Sequence, residues 1–309
     1  MRRERARVTV MRIDLMAGAT NSATHSAARP VMPPVRQPQP VILVFDSGLG
    51  GLTVLEQVRR ARPDAAYLYA ADDAAFPYGR LSEAQLVARV LAVMERLLAL
   101  HRPDLVVIAC NTASTLVLPA LRQRFATPFV GVVPPIKPAA ALTRSGLVSL
   151  LATPGTVARA YTRDLVRDYA AACEVSLVGS VNLARYAEAE MAGMPVPDAD
   201  ILAEITPCFD ERADGRRTDV VCLSCTHYPL LLARFERLAP WPVTWIDPAP
   251  AIARRVVQLL GEPEAGPVHV PEALAIFTGG AGLTPALARS LADRGLSETA
   301  VEAMPLSAE

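Results

Sequence analysis

Cys110 and Cys225 close two copies of one short plan. Asp104-Leu-Val-Val-Ile-Ala-Cys110-Asn-Thr112 and Asp219-Val-Val-Cys-Leu-Ser-Cys225-Thr-His227 each run from an aspartate through an apolar strand to a cysteine and then to polar residues. Two thiols facing opposite sides of one carbon can move its proton: a thiolate removes it while a thiol supplies its own to the other face. A free cysteine titrates near about 8.5, so polar neighbours must tune each sulfur. Cys110 is followed by Asn111 and Thr112, whose side chains and backbone N–H groups can receive a carboxylate at the start of the next helix. Asp46, at the end of the first strand, can reach the same strand-end ridge as proton relay or amine anchor. Cys225 is followed by Thr226 and His227, and a histidine two residues on can exchange protons with a thiol near neutral pH.

Other chemistries fit less well. Removal of an α-proton usually relies on pyridoxal phosphate held by a lysine, but the chain has a single lysine, Lys137, set between prolines with no glycine-rich phosphate cup. No cofactor is therefore expected. Cys173, Cys208 and Cys222 read as small buried hydrophobes. Cys222 and Cys225 lie three apart on a strand, so their side chains point to opposite faces and make a poor redox pair. His25, His101 and His269 show no metal-ligand spacing, so no metal is expected. The glycines of Asp46-Ser-Gly-Leu-Gly-Gly51 lack the full dinucleotide fingerprint and read as a tight strand-to-helix turn.

The elements that must position these residues alternate between short apolar strands and amphipathic helices, which implies parallel sheets covered on both faces. Strands are predicted at 41–45, 65–70, 105–110, 128–133, 147–153, 174–179, 220–225 and 243–247, and helices include 83–101 and 156–172. Residues 41–48 have a counterpart at 147–155, so strand order as well as cysteine position recurs. In open α/β sheets ligands sit beyond the carboxyl ends of the strands. Two similar halves facing each other would place Cys110 and Cys225 on opposite walls of one cleft.

Composition narrows the partners. Lys+Arg and Asp+Glu both number 31, which leaves no basic field for nucleic acid. The five cysteines are odd in number and lie mostly in apolar segments, which suits a reducing compartment. No apolar run reaches the roughly 18 residues of a membrane span, and the basic start is too broken for a secretory signal. A cytoplasmic protein with a small-molecule substrate, no nucleic acid and no membrane is expected, with a homodimer left open as its assembly.

The ordered set Phe45-Asp-Ser-Gly-Leu-Gly-Gly-Leu-Thr-Val-Leu55, Phe76-Pro-Tyr-Gly79, Ala109-Cys-Asn-Thr-Ala-Ser114, Ala152-Thr-Pro-Gly-Thr156 and Cys225-Thr-His-Tyr-Pro-Leu-Leu231 resembles the glutamate racemase family. The resemblance runs from Val41 to the Phe277-Thr-Gly279 strand. It implies two flavodoxin-like α/β parallel-sheet domains related by a pseudo-twofold, with the active site in the interdomain cleft. Residues 1–40 would be a disordered extension. Residues 41–137 with 247–309 would form the domain carrying Asp46 and Cys110, and 138–246 the one carrying Glu188, Cys225 and His227. By resemblance Cys110 and Cys225 are the acid/base pair, Asp46 assists Cys110, and His227 and Glu188 assist Cys225. Substrate contacts carry over to Ser47, Pro77, Tyr78, Gly79, Asn111, Thr112, Thr153 and Thr226. The implied reaction is cofactor-independent racemisation of L-glutamate to D-glutamate for peptidoglycan.

Three departures stand out. Ala71-Asp-Asp-Ala-Ala75 replaces the family's usual Gly-Asp-Thr, small residue and Arg, which makes the loop more acidic and could alter substrate affinity or a subunit contact. Ser224 replaces a Gly, and Ser180-Val181 replaces a common Cys-Pro ahead of Glu188. A racemase for another amino acid, such as aspartate, and a binding protein that has lost catalysis but kept the cleft are the competing readings.

Overall fold

Val41–Asp46 (β1) buries five of its six residues, as a strand must when both faces of its sheet are covered. In the computed structural model, which describes residues 39–263, 273–280 and 282–304, β1 pairs in parallel with β2 (Ala66–Ala71) and β3 (Leu105–Ile108), and β4 (Phe129–Gly131) lies beyond β3. A second parallel sheet holds β5 (Leu147–Ala152), β6 (Glu174–Gly179), β7 (Val220–Ser224) and β8 (Thr244–Ile246). The chain then returns to the first sheet with β9 (Ala273–Phe277) and β10 (Glu298–Val301). The sheet orders are β10-β9-β2-β1-β3-β4 and β6-β5-β7-β8. The second repeats the last four places of the first, so β3 and β7, which lead into the cysteines, occupy equivalent positions.

The repeated aspartates act at the opposite end of these strands. Asp104 Oδ2 accepts a hydrogen bond from Val41 N at 2.8 Å. Asp219 Oδ2 accepts from Arg144 N at 2.7 Å and Ser145 N at 3.0 Å. Each carboxylate thus ties the root of its strand to the root of the neighbouring one, and neither belongs to the chemistry at the carboxyl ends.

The helices are α1 (Leu52–Ala61), α2 (Glu83–His101), α3 (Asn111–Arg124), α4 (Ile136–Leu142), α5 (Pro154–Val157), α6 (Ala160–Tyr169), α7 (Leu183–Met191), α8 (Asp198–Ile205), α9 (Leu232–Leu238), α10 (Ala249–Leu260) and α11 (Pro285–Asp293). α2 occupies the span expected from sequence. Ser82 and Gln85 form a reciprocal capping box at its start, and Leu86, Val90, Val93, Met94 and Leu97 recur at three- and four-residue spacing on its buried face. That face packs with Leu43, Phe45, Val106 and Ile108 on one side of the first sheet. Ile42, Val44, Leu105 and Val107 face the other side, against Leu55 and Val58 of α1 and Ile252 and Val256 of α10. Burial of each such aliphatic side chain is worth about 1.5–3 kcal/mol.

Several boundaries differ from those read in the sequence. The helix expected over 156–172 is two helices, because Arg159 is extended (φ −75°, ψ 143°) between α5 and α6, and the second ends at Tyr169. The strands expected to run to Cys110 and Cys225 stop at Ile108 and Ser224, so both cysteines stand in the turns beyond. Pro40 O already accepts from Ala66 N at 2.8 Å. The rest of the expected extension 1–40, apart from Gln39, lies outside the described residues. Among the described residues no helix is long and apolar enough to cross a membrane.

Candidate active site

The turn from Asp46 into α1 is built for close approach. A Cβ on Gly48 would collide with Glu188 Oε1, one on Gly50 would lie 2.5 Å from His227 Nδ1, and one on Gly51 would lie 2.6 Å from Asp46 Cβ. None of the three has a left-handed φ, so it is space, for the other half at Gly48 and Gly50 and for the first sheet's own side chains at Gly51, rather than turn conformation, that demands glycine. Tyr69 pins the turn, its hydroxyl donating to Gly48 O at 2.6 Å.

Cys110 caps the N-terminus of α3 and is 5% exposed. Its sulfur lies 3.7 Å from Ser47 Oγ. Burial, and after it the Asp46 carboxylate, push the Cys110 thiol up to about 12, against the opposing pull of Ala113 N–H and Ser47. Negative charge on Cys225 pushes the same way, so the two sulfurs feel each other. Asp46 is itself fully buried, and burial raises its carboxyl despite His227, Gly48 N–H and Thr226.

Cys225 is 7% exposed and has different company. His227 Nδ1 lies 3.7 Å from its sulfur, and Nε2 lies 2.8 Å from Glu188 Oε1. Burial alone would lower the ring's pKa, but Cys225 and Glu188 outweigh it and hold His227 well above the ordinary histidine value. The ring therefore carries the counter-charge for a sulfur anion. Gly50 N also points at Nε2, at 3.2 Å. With an acceptor on one side and a donor on the other, that nitrogen is placed both to hold and to release a proton. Glu188, which sequence analysis reached only through family resemblance, also accepts from Leu49 N at 2.9 Å. Ser180, at the departure ahead of it, accepts from Leu183 N at 3.1 Å and donates to Glu204 at 2.5 Å, which anchors the start of the helix carrying Glu188.

Threonine hydroxyls bridge the sheets. Thr226 Oγ1 donates to Asp46 Oδ1 at 3.1 Å. Thr112 Oγ1 lies 3.0 Å from Thr153 Oγ1 and 3.4 Å from Thr156 Oγ1. Thr156 was absent from the sequence-derived site, although its spacing from Thr153 in a Thr-Pro-Gly-Thr turn was a readable signal. Both polar atoms of the Asn111 amide are buried with no partner, an arrangement that suits a bound polar ligand.

Tyr78 of the Pro77–Gly79 loop is buried, and its hydroxyl donates to Asp72 Oδ2 at 2.7 Å. Asp72 is fully buried against Arg89 and also accepts from Thr278 Oγ1 at 2.7 Å. Asp73 accepts from Gly279 N and Gly280 N, both at 2.7 Å. The added acidity of the Ala71–Ala75 departure is thus spent on internal bonds. A Cβ on Gly79 would meet nothing within 4 Å. Phe76, also absent from the sequence-derived site, packs on the His227 ring with centroids 5.5 Å apart.

The remaining cysteines make a useful contrast. Burial pushes Cys208 and Cys222 up to about 12 as well, so a raised pKa does not single out Cys110. The Ser47 hydroxyl beside its sulfur does. Cys222 lies 3.7 Å from Pro135 O, and Lys137 is exposed over the Tyr169 ring at 5.5 Å. No cluster of metal-binding side chains occurs among the described residues.

Two buried thiols at matching strand ends of two like-ordered parallel sheets mark the chain as a two-half α/β protein. Among solved structures the chain resembles Escherichia coli glutamate racemase in complex with L-glutamate and the activator UDP-MurNAc-ala, with TM-score 0.77 and 40% identity over 86% of this chain and 99% of that one. Glutamate racemase of Agrobacterium fabrum is 54% identical over 258 residues, 83% of this chain and 92% of that protein. That of Sinorhizobium medicae is 57% identical over 240 residues, 77% and 88%. The chain belongs to the Asp/Glu/Hydantoin racemase family, whose profile matches residues 52–256.

Proposed function

We propose that the protein interconverts L- and D-glutamate without a cofactor, using Cys110 and Cys225 as the two bases. The observation that carries this reading is the pair of buried, differently escorted sulfurs joined across the halves by the Thr226–Asp46 hydrogen bond. For L-glutamate, the Cys225 thiolate takes the α-proton and the Cys110 thiol gives its own to the opposite face. The roles reverse for D-glutamate. After a turnover each sulfur has exchanged its protonation state, and Asp46 on one side and His227 with Glu188 on the other restore it.

Ser47, Asn111, Thr112, Thr153, Thr226 and the Pro77–Gly79 loop hold the substrate. Residues 41–137 with 247–309 act as one domain and 138–246 as the other. Because both sulfurs are nearly enclosed, substrate enters when these domains part. D-Glutamate made this way supplies peptidoglycan synthesis, which puts the enzyme in the cytoplasm. Polarimetry or circular dichroism on L-glutamate, with no pyridoxal phosphate or metal added, tests the reading. Optical activity should decay to zero, unchanged activity would defeat it, and equal decay with L-aspartate would widen the substrate class.

A further inference from the structure

Arg159 belongs to none of the groups given a role above, yet it sits at the seam between the halves. The break between α5 and α6 falls at its extended backbone, three residues after Thr156. Its side chain is only 9% exposed, Nη1 donates to Glu83 Oε1 at 3.1 Å, and Nε is buried with no partner. Burial draws its pKa below the ordinary arginine value while Glu83 and Cys110 work the other way. A guanidinium nonetheless stays charged at any physiological pH, so a largely buried cation lies close enough to Cys110 to feel its charge.

Glu83 is a poor match for so enclosed a cation, being 70% exposed and screened by water. The other charged groups around the sulfurs are Asp46 and Glu188, which are acids, and His227, which is engaged with Glu188 and Cys225. A dicarboxylic amino acid brings one net negative charge into these surroundings. Ser47, Asn111 and Thr226 adjoin the two sulfurs, where groups attached to the α-carbon must lie. Thr153, Thr156 and Arg159 follow β5 on α5 and the break after it, and Thr153 and Thr156 meet Thr112 across the seam, so the end of the substrate side chain is assigned to this place.

We propose that Arg159 binds the side-chain carboxylate of the substrate beside the hydroxyls of Thr153 and Thr156, and so selects a dicarboxylic amino acid. Glu83 holds the guanidinium at the rim until substrate replaces it. This inference rests on the racemase reading above and adds the group that sets its specificity.

The test compares wild type with Arg159→Met, Arg159→Lys and Glu83→Gln. It measures glutamate racemisation and, by calorimetry, the binding of glutarate, an unreactive dicarboxylate. Arg159→Met should raise KM about 10- to 100-fold with a much smaller change in kcat, and weaken glutarate by a similar factor. Arg159→Lys should fall between it and wild type, since the charge survives without the planar fork. Glu83→Gln should leave KM within about 2-fold or lower it, since a screened surface pair contributes little. Equal effects of Arg159→Met and Glu83→Gln would reduce Arg159 to a strap between the halves and overturn the proposal, as would unchanged glutarate affinity in either Arg159 variant. Failure of the racemase reading would show separately, as wild type that does not racemise glutamate.

Discussion

The turns after β3 and β7 stand at equivalent places in two like-ordered sheets, yet they surround their sulfurs differently. Cys110 has a hydroxyl and a buried carboxylate, and burial with that carboxylate holds its proton in place against the pull of the Ser47 hydroxyl. Cys225 has an imidazole backed by a second carboxylate. In the proposed reaction the first half would keep a thiol ready to donate, while His227 in the second carries a counter-charge beside Cys225. Repetition of a fold supplies symmetry of position, and the side chains beside each sulfur supply the difference in surroundings that the proposed two-base reaction would use. The contrast extends to Cys208 and Cys222, which are as deeply buried but have Asp210 and the Pro135 carbonyl as neighbours.

The sharpest way to break this comparison is to remove either sulfur's acidity. Cys110→Ser and Cys225→Ser should each lower kcat by roughly 10³-fold or more, because a serine hydroxyl is a far weaker acid near neutral pH. An active single variant would leave one half unnecessary. Next in size, His227→Asn should cost about 10²-fold or more by stripping Cys225 of its proton partner. Because the two enantiomers are equal in free energy, kcat/KM must fall equally in both directions. The asymmetry should appear as a substrate isotope effect that grows more in one direction than in the other.

Gly50→Ala should cost about 10²-fold, since its Cβ would lie 2.5 Å from His227 Nδ1 and an ångström of displacement carries such a penalty. The variant should keep its fold, as judged by far-ultraviolet circular dichroism. Asp46→Asn separates activity from stability. The folded-state pKa of Asp46 lies above its ordinary 3.8, so the stability linked to its protonated form is complete below 3.8 and is lost as pH rises through the folded-state value. The melting temperature of Asp46→Asn relative to the parent should therefore rise across that window while activity falls. The smallest effect belongs to Cys222→Ala, which should cost about 1 kcal/mol of stability and leave the rate within about 2-fold.

Much of this was readable from residues alone. The matched Asp-strand-Cys plans located β3 and β7, and the polar residues after each cysteine fell where the two halves meet. Apolar spacing gave the full extent of α2. Glu188 was beyond such reading, because nothing local distinguishes a glutamate on a helix from a solvated one until His227 is brought to it from another strand end. Arg159 escaped because the apolar spacing of 156–172 carries through its extended backbone, and Phe76 because stacking on a distant ring leaves no local pattern. The glycines after Asp46 were read as a turn, since a sequence does not show what another part of the chain will press against them. β10 is short, mostly exposed and lies at a sheet edge, so it lacks the apolar run by which the other strands were found.

Placing one enantiomer in deuterated water probes the division of labour between the sulfurs most directly. L-Glutamate sampled by mass spectrometry within the first few per cent of conversion should yield D-glutamate carrying deuterium at Cα, while the remaining L-glutamate still carries hydrogen, because one sulfur takes the proton and the other delivers a solvent-derived deuteron. Deuterium entering both enantiomers at equal rates from the first turnovers would mean that a single base serves both faces, and would contradict it.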